Sequence, residues 1–482
     1  MRRIRPASVL VAACLVVALS YGAAAIRGDR DAIPDRAGRA VTTTPTVPLG
    51  VAAAPGADDE LARLIRDYER RISEHTTPSD YRILGQLTLE RARRTGDVGA
   101  YARATTVLRR ALELFPTDPE ARVLLATARY AVHDFSSALR IASKVYAEDP
   151  TRLDALVVVG DAQLSLGRYR AAEESYGSVE ATLPGVPEVQ VRSARLAFLR
   201  GDAAEARRLA DAAARSAAGS ASGPGLAWYQ TFAGQVAFDE GRYGDAARSY
   251  REAIDAFPTS APAHAGLGRT LAALGRTDEA IEQYLRATAR LPDPGWLAAL
   301  GDVYATTGRR ELADRQYATV EAIASLARAG GQIYNRQFAL FYADHTIRPK
   351  VALRLASREL EIRKDVHGWD AYAWALFANR RYAEARAASS RALALGTPDA
   401  SLWYHAGMIS AALGDRDRAV AELRRALSLS PEFDPMQARR ARATLAELSR
   451  DAIRAARSSC QVQIEALSVD ARDPRERRSH SA

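Results

Sequence analysis

Alanine recurs in step along most of this chain: Ala104, Ala138, Ala172 and Ala206 lie 34 residues apart. After a gap of 40 the phase resumes at Ala246 and Ala280, then runs through Ala313, Ala352, Ala385 and Ala419 at spacings of 33, 39, 33 and 34. Alanine is abundant here, so the spacing alone proves little, but other positions keep the same phase. Twelve residues before the alanine stands a small residue (Ala126, Gly160, Ala194, Gly234, Gly268, Gly301, Ala373, Gly407). Three before it is an aromatic in Phe135, Tyr169, Tyr243 and Tyr382. Four after it is a ring in Tyr176, Tyr250, Tyr284 and Tyr317, and twelve after it a proline in Pro116, Pro150, Pro184, Pro258, Pro292 and Pro431. A period of this length fixes the architecture before any single segment is considered.

Each period reads as two helices joined by a turn such as Leu166-Gly167-Arg168-Tyr169 or Glu240-Gly241-Arg242-Tyr243. Glycine there suits a left-handed cap on the first helix. The small residue and the alanine are expected to face each other where the two helices cross. Proline ends the second helix, because it cannot continue one beyond the first turn. No single unit can bury its apolar face, so neighbours must stack.

This set of offsets resembles the tetratricopeptide repeat, most clearly in Gly234–Pro258, Gly268–Pro292 and Trp403–Pro431. The resemblance covers roughly residues 80–435 and implies an all-α, right-handed superhelical solenoid of about ten helix-turn-helix repeats. The first unit departs from it: Gly85 precedes Ala104 by 19 residues, which predicts a lengthened or interrupted first helix. Six extra residues at Gly219–Gly225 read as a hinge or loop, and a second insertion lies around Ala329-Gly330-Gly331. The unit at 325–364 lacks both glycine and proline, and Pro435–Arg450 reads as a capping helix with Arg439, Arg440 and Arg442 on its solvent side.

The ends have a different character. Arg2, Arg3 and Arg5 precede an uncharged stretch, Ala7–Ile26, with Ala23 and Ala25 offering a small-x-small cleavage site. Residues 1–26 are therefore expected to be a secretory signal peptide or an N-terminal membrane anchor, with a lipobox-like Val11-Ala12-Ala13-Cys14 as a third reading. Each places the bulk of the chain outside the cytoplasm: extracellular, periplasmic or on the cell surface. Residues 27–57 read as a disordered tether, 58–450 as the solenoid with its caps, and 451–482 as a C-terminal helix and disordered tail. With the signal removed Cys460 is the sole cysteine, so stability must come from packing. The net charge of +9 over 482 residues, with no basic run interleaved with aromatics, argues against nucleic acid.

Seven scattered histidines, no His-Glu-x-x-His, no Cys-x-x-Cys and no phosphate-cradling glycine loop leave no metal, cofactor or catalytic motif. Asp344-His345 is the most catalytic-looking pair, and a capping carboxylate beside a packed imidazole is its plainer reading. The resemblance instead implies a wall formed by the first helix of each unit, at three before and one, four and five after the small residue. Gln235, Asp239, Arg269, Asp302, Trp374, Tyr404 and Met408 fall on those positions; Tyr334, Phe338, Phe341 and Tyr342 fall in the aberrant unit. A mixed wall of this kind suits an extended or helical segment of a partner protein. On this reading the chain is an exported, non-catalytic scaffold, with a membrane tether through residues 7–26 as one form of export. The rivals are an accessory subunit of an envelope secretion or glycan-processing enzyme and a self-assembling envelope protein. The stretches Phe341–His345, Arg358–Val366 and Tyr404–Ile409 are also similar to a group of exported bacterial repeat proteins. Replacing Trp374 or Tyr404 by alanine is expected to weaken partner capture without changing helicity.

Overall fold

The computed structural model describes residues 57–95, 98–219, 223–329 and 335–450. The export segment, the tether, Tyr334, Cys460 and the C-terminal tail lie outside the described residues. A leading helix, α1 (Ala57–Glu74), precedes ten helix pairs. The pairs open with α2 (Pro78–Thr95) and α3 (Val98–Leu114), α4 (Pro119–Ala131) and α5 (Phe135–Glu148), α6 (Leu153–Ser165) and α7 (Tyr169–Thr182). Next come α8 (Pro187–Leu199) and α9 (Ala203–Ala218), α10 (Gly223–Asp239) and α11 (Tyr243–Ala256), α12 (Ala261–Ala273) and α13 (Thr277–Arg290). The series ends with α14 (Pro294–Thr306) and α15 (Arg310–Ala329), α16 (Asn335–Asp344) and α17 (Pro349–Ile362), α18 (Val366–Ala378) and α19 (Tyr382–Ala392), α20 (Ala400–Ala412) and α21 (Arg416–Leu429). A last helix, α22, spans residues 437–450. The chain is an all-α solenoid, and the aberrant unit keeps its helix pair.

The phase markers do their packing between the two helices of a unit. The alanine of the second helix is fully buried in every unit from Ala104 to Ala419. The small residue of the first helix faces the ring more than the alanine, which corrects the expected alanine contact. A Cβ on Gly160 or Gly301 would overlap the ring of Tyr176 or Tyr317, and one on Gly234 or Gly268 would press on Tyr250 or Tyr284 at 3.0 Å. In the first unit Gly85 meets Leu108 in the same way, across an 18-residue α2, so the longer spacing is a longer helix.

From the α4–α5 pair to the α20–α21 pair, the turn inside the unit is closed by one left-handed residue. Glycine fills it at Gly167, Gly201, Gly241, Gly275, Gly308 and Gly414; His133, Thr346 and Arg380 hold the same conformation with side chains. The insertion at 219–225 is no hinge over its second half. Gly223-Pro224-Gly225 forms the first turn of α10, where proline's missing N–H costs nothing. A Cβ on Gly223 would lie 2.5 Å from the Ala256 carbonyl oxygen, so its glycine permits close packing on the end of α11. The second insertion lengthens α15, which runs 20 residues to Ala329.

The superhelix winds tightly enough to touch itself. Val366 N donates to Tyr169 OH (2.7 Å), Thr397 Oγ1 to the Leu199 carbonyl (2.5 Å), and Glu432 N to Tyr243 OH (2.7 Å). These partners are 197, 198 and 189 residues apart, which at 34 per repeat puts close to six repeats in one turn. The inter-unit loops of the last three pairs thus rest on the inner turns of α6–α11. The aromatic three before the alanine is part of this contact: Tyr169 and Tyr243 accept those hydrogen bonds, and Arg363 lies over Phe135 at 4.8 Å. Val366 and Leu402 are buried in one apolar cluster with Leu164, Leu196 and Leu199 of the earlier turn.

Candidate functional site

Self-contact changes what the wall positions do. Phe338, Phe341, Tyr342, Trp374 and Tyr404 are all buried, none more than 3% exposed. Trp374 stacks on Phe377 at 4.5 Å and on His405 at 4.2 Å, and Tyr404 packs against Phe433 at 5.7 Å. These side chains are therefore core, and the expectation of an open aromatic wall is corrected: neighbouring units and the segment around Phe433 cover it. Trp374→Ala is a packing mutation that should lower stability, not a clean binding mutation.

The polar candidates pair within the molecule. Gln235 Nε2 donates to Asp239 at 2.8 and 2.9 Å, and Arg269 reaches Asp239 at 3.8 Å. The same guanidinium lies 3.9 Å over the Phe238 ring and donates to the Phe433 carbonyl at 3.1 Å. Met408 accepts a weak hydrogen bond from Thr444 on α22 at 3.7 Å. Burial foremost, and then the nearby Asp399 charge, push the Asp239 carboxyl up to about 6 against the pull of Arg269.

One cluster gathers residues from α14, α15, α16, α18, α20 and the approach to α22. Asp302 Oδ1 accepts from Tyr317 OH at 2.7 Å and lies 2.8 Å from His345 Nε2. The other ring nitrogen of His345 faces the Phe341 carbonyl at 2.8 Å. Both nitrogens point at acceptors, so the doubly protonated ring satisfies them both. Burial alone would lower the His345 pKa, but the hydrogen bond and charge of Asp302 outweigh it and hold it above the ordinary value.

Asp344 turns the other way, accepting from Trp374 Nε1 at 2.7 Å and Gln437 Nε2 at 2.8 Å. The adjacent Asp344 and His345 are thus anchored to different helices, and the packed reading of that pair fits their geometry. Asp434 accepts from the backbone N–H groups of Met436 and Gln437 at 2.8 and 2.7 Å. Burial, and then the charge of Asp302, push its carboxyl up to about 6. Asp344 is raised as well, chiefly by burial. A second buried pair sits beside the cluster: His405 Nδ1 lies 2.9 Å from Asp370, and that carboxylate raises the histidine against the lowering effect of burial.

Asp302, Asp344, His345, Trp374, Tyr404, Asp434, Met436, Gln437 and Arg440 enclose a cavity of about 20 Å³. That is room for about one water molecule, and no cysteine or serine lines it. Among the described residues no group of three His, Cys, Asp or Glu side chains is arranged to hold a metal ion. What the cluster does in this structure is fasten helices together. Asp434 and Gln437 were not legible as members, since they stand 132 and 135 residues after Asp302, about four repeats on, and no pattern within one period links them.

A different surface remains open at the N-terminal end. Ile65 of α1, Leu84 and Thr88 of α2 and Val107 of α3 floor a trough of about 340 Å³, rimmed by Glu69, Arg91, Ala102, Arg103 and Thr106. The periodic pattern begins after α1, so no phase marker falls on the α1 side of this trough.

Family models for the tetratricopeptide repeat match residues 158–221, 237–303 and 400–433, and the model for anaphase-promoting complex, cyclosome, subunit 3 matches residues 97–179. No curated protein matches the sequence significantly. Among solved structures, the chain is similar to the APC/C hetero-tetramer Cut9-Hcn1 at 15% identity and a TM-score of 0.32, covering 81% of this chain and 96% of that one. It is similar to the human IFIT1 dimer with PPP-AAAA at 13% identity and a TM-score of 0.42, covering 77% and 95%. PilW, a type IV pilus biogenesis factor, follows at 20% identity and a TM-score of 0.38, covering 43% and 93%. With phase markers, helix pairs and family models in agreement, the chain is a tetratricopeptide-repeat protein.

Proposed function

We propose that the protein is a non-catalytic scaffold that binds a segment of another protein in the trough between α1, α2 and α3. The carrying observation is the contrast in access. The aromatic wall residues Trp374 and Tyr404 are sealed by the chain itself, whereas the trough keeps about 340 Å³ that the described residues leave unfilled, with exposed Ala102, Arg103 and Thr106 above buried Ile65 and Leu84. The apolar lining from Ile65, Leu84 and Val107 favours a segment with apolar anchors. A rigid stack of helices loses little conformational entropy on binding, so a few such contacts give useful affinity.

Export is part of the proposal. It is supported by Arg2, Arg3 and Arg5 ahead of the uncharged residues 7–26, whether that stretch is cleaved or stays as an anchor. No helix among the described residues is long and apolar enough to cross a membrane. The rival roles, an accessory subunit of an envelope enzyme and self-assembly, both require a partner surface, and the same experiment addresses them. A photo-crosslinker at Thr106 is expected to capture one partner in intact cells, and Val107→Asp to abolish it, while a crosslinker at Arg286 on the outer face of α13 captures nothing. Equal capture from both positions, or capture that survives Val107→Asp, would remove the trough from the proposal. Capture of a second copy alone would establish self-assembly instead.

A further inference from the structure

The C-terminal end of the array closes over the buried acid cluster, and nothing in repeat packing requires a cluster there. Phe433 is 2% exposed against Tyr404, and Ala438 and Ala441 of α22 are fully buried. Yet the polar side of the same contact sets Asp434 facing Asp302 and Asp344, with both His345 nitrogens already engaged. Charged and titratable groups face this interface from every packed element. They are Asp302 on α14, Tyr317 on α15, Asp344 at the end of α16 with His345 just after it, Asp370 on α18, Tyr404 and His405 on α20, Arg416 on α21, and Arg439, Arg440 and Arg442 on α22. Arg269 of α12 holds the neighbouring Phe433 carbonyl. Three carboxylates converge with one histidine and one arginine at the cavity, so the cavity itself is short of positive charge.

We propose that residues 433–450 are a proton-operated plug, docked on α14, α16 and α20 while the interface holds its protons and undocked once they are lost. Undocking uncovers Trp374, Tyr404 and Met408, the wall positions that the docked plug seals. The attachment is local: upstream of the plug, Ser430 and Glu432 stay tied to Tyr243, so the rest of the second turn need not move. The sign is consistent across the groups. Asp434, Asp344, His345 and His405 all bind protons more tightly docked than they would in water, so docking takes up protons and rising pH opposes it. For Asp434 alone, an ordinary carboxyl value near 4 against about 6 in the docked state changes the docking equilibrium by up to roughly a hundred-fold, and by about fifty-fold between pH 4 and 8. This proposal does not depend on what binds the α1–α3 trough.

Hydrogen–deuterium exchange on the full-length chain, corrected for intrinsic rates at pH 4.0 and 8.0, tests it. Protection of residues 437–450 is expected to fall by one to two orders of magnitude at the higher pH, while α4 and α5, far from the plug, stay unchanged. Asp434→Asn keeps an oxygen to accept from Met436 and Gln437 but never ionises, and it should reduce the pH ratio to a few-fold. Asp344→Asn, which removes a facing charge from a different helix, should also reduce it. Equal wild-type protection at the two pH values would overturn the proposal. So would a full wild-type ratio retained in both variants.

Discussion

Asp161 and Asp302 occupy the same slot of the repeat, one residue after Gly160 and Gly301, and each accepts a hydrogen bond from a tyrosine fifteen residues on. Tyr176 donates to Asp161 at 2.8 Å and Tyr317 to Asp302 at 2.7 Å. Both carboxylates are buried, and both are compensated by the first helix of the following unit. They differ in the compensating group. Asp161 has Arg192, bidentate at 2.8 and 3.0 Å and 4% exposed. Asp302 has His345. Arginine keeps its charge at every accessible pH, whereas histidine does not. One repeat position thus yields a permanent fastening in the middle of the array and a titratable one where the end of the chain returns.

Substitutions should separate the two. Arg192→Met strands a buried carboxylate and is expected to cost about 3–5 kcal/mol in chemical denaturation at pH 8, and less at pH 5.5, where the stranded Asp161 can take up a proton. A larger cost at pH 5.5 than at pH 8 would break the comparison. His345→Gln should cost about 1–3 kcal/mol at pH 5.5 and much less at pH 8. The sign follows from linkage: a histidine held above its ordinary pKa stabilises fully below the ordinary range, and the benefit fades as pH rises through the folded value. Asp365 and Asp399 act oppositely at the edge of the same turn. Despite burial, Arg336 and His367 respectively hold them low, so their contribution is lost in acid, and stability should peak at mildly acidic pH.

The inner-turn glycines sharpen the account of self-contact. A Cβ on Gly167 would lie 2.5 Å from the Lys364 carbonyl oxygen, while one on Gly275 would meet nothing. Both residues are left-handed, so alanine costs each about 1–2 kcal/mol in thermal unfolding. Gly167→Ala should cost clearly more, because the next superhelical turn must shift, and equal losses would argue that the turns do not touch. The smallest effect is a gain: Arg380→Gly relieves a left-handed arginine and should stabilise by about 0.5–1 kcal/mol.

The repeat, its helix pairs and its turn glycines were legible because each depends on residues within one period. Ala352 alone sufficed to phase the aberrant unit, since a fully buried alanine against the preceding helix is the one feature α17 cannot change. Gly223–Gly225 misled because composition marks a loop, while the cause of those glycines is the end of α11. The wall residues were correctly placed on the first helices and wrongly assumed open. Exposure there depends on superhelical pitch, and pitch follows from small rotations summed over six units that no local pattern reports. Tyr169 and Tyr243 carried the missing signal: an aromatic at a turn in some units and not others marks where a second turn rests.

That contact is also the claim most directly open to measurement. The sequence holds only three lysines, Lys144, Lys350 and Lys364, so an amine-reactive crosslink has few places to form. Position 168 follows the glycine that meets Lys364, and both Arg168 and Lys364 are exposed. In an Arg168→Lys variant, a short crosslinker followed by peptide mass spectrometry should join position 168 to Lys364 within one chain. An open superhelix would leave those positions a full turn apart, and the absence of that crosslink in monomeric protein would contradict the self-closed solenoid.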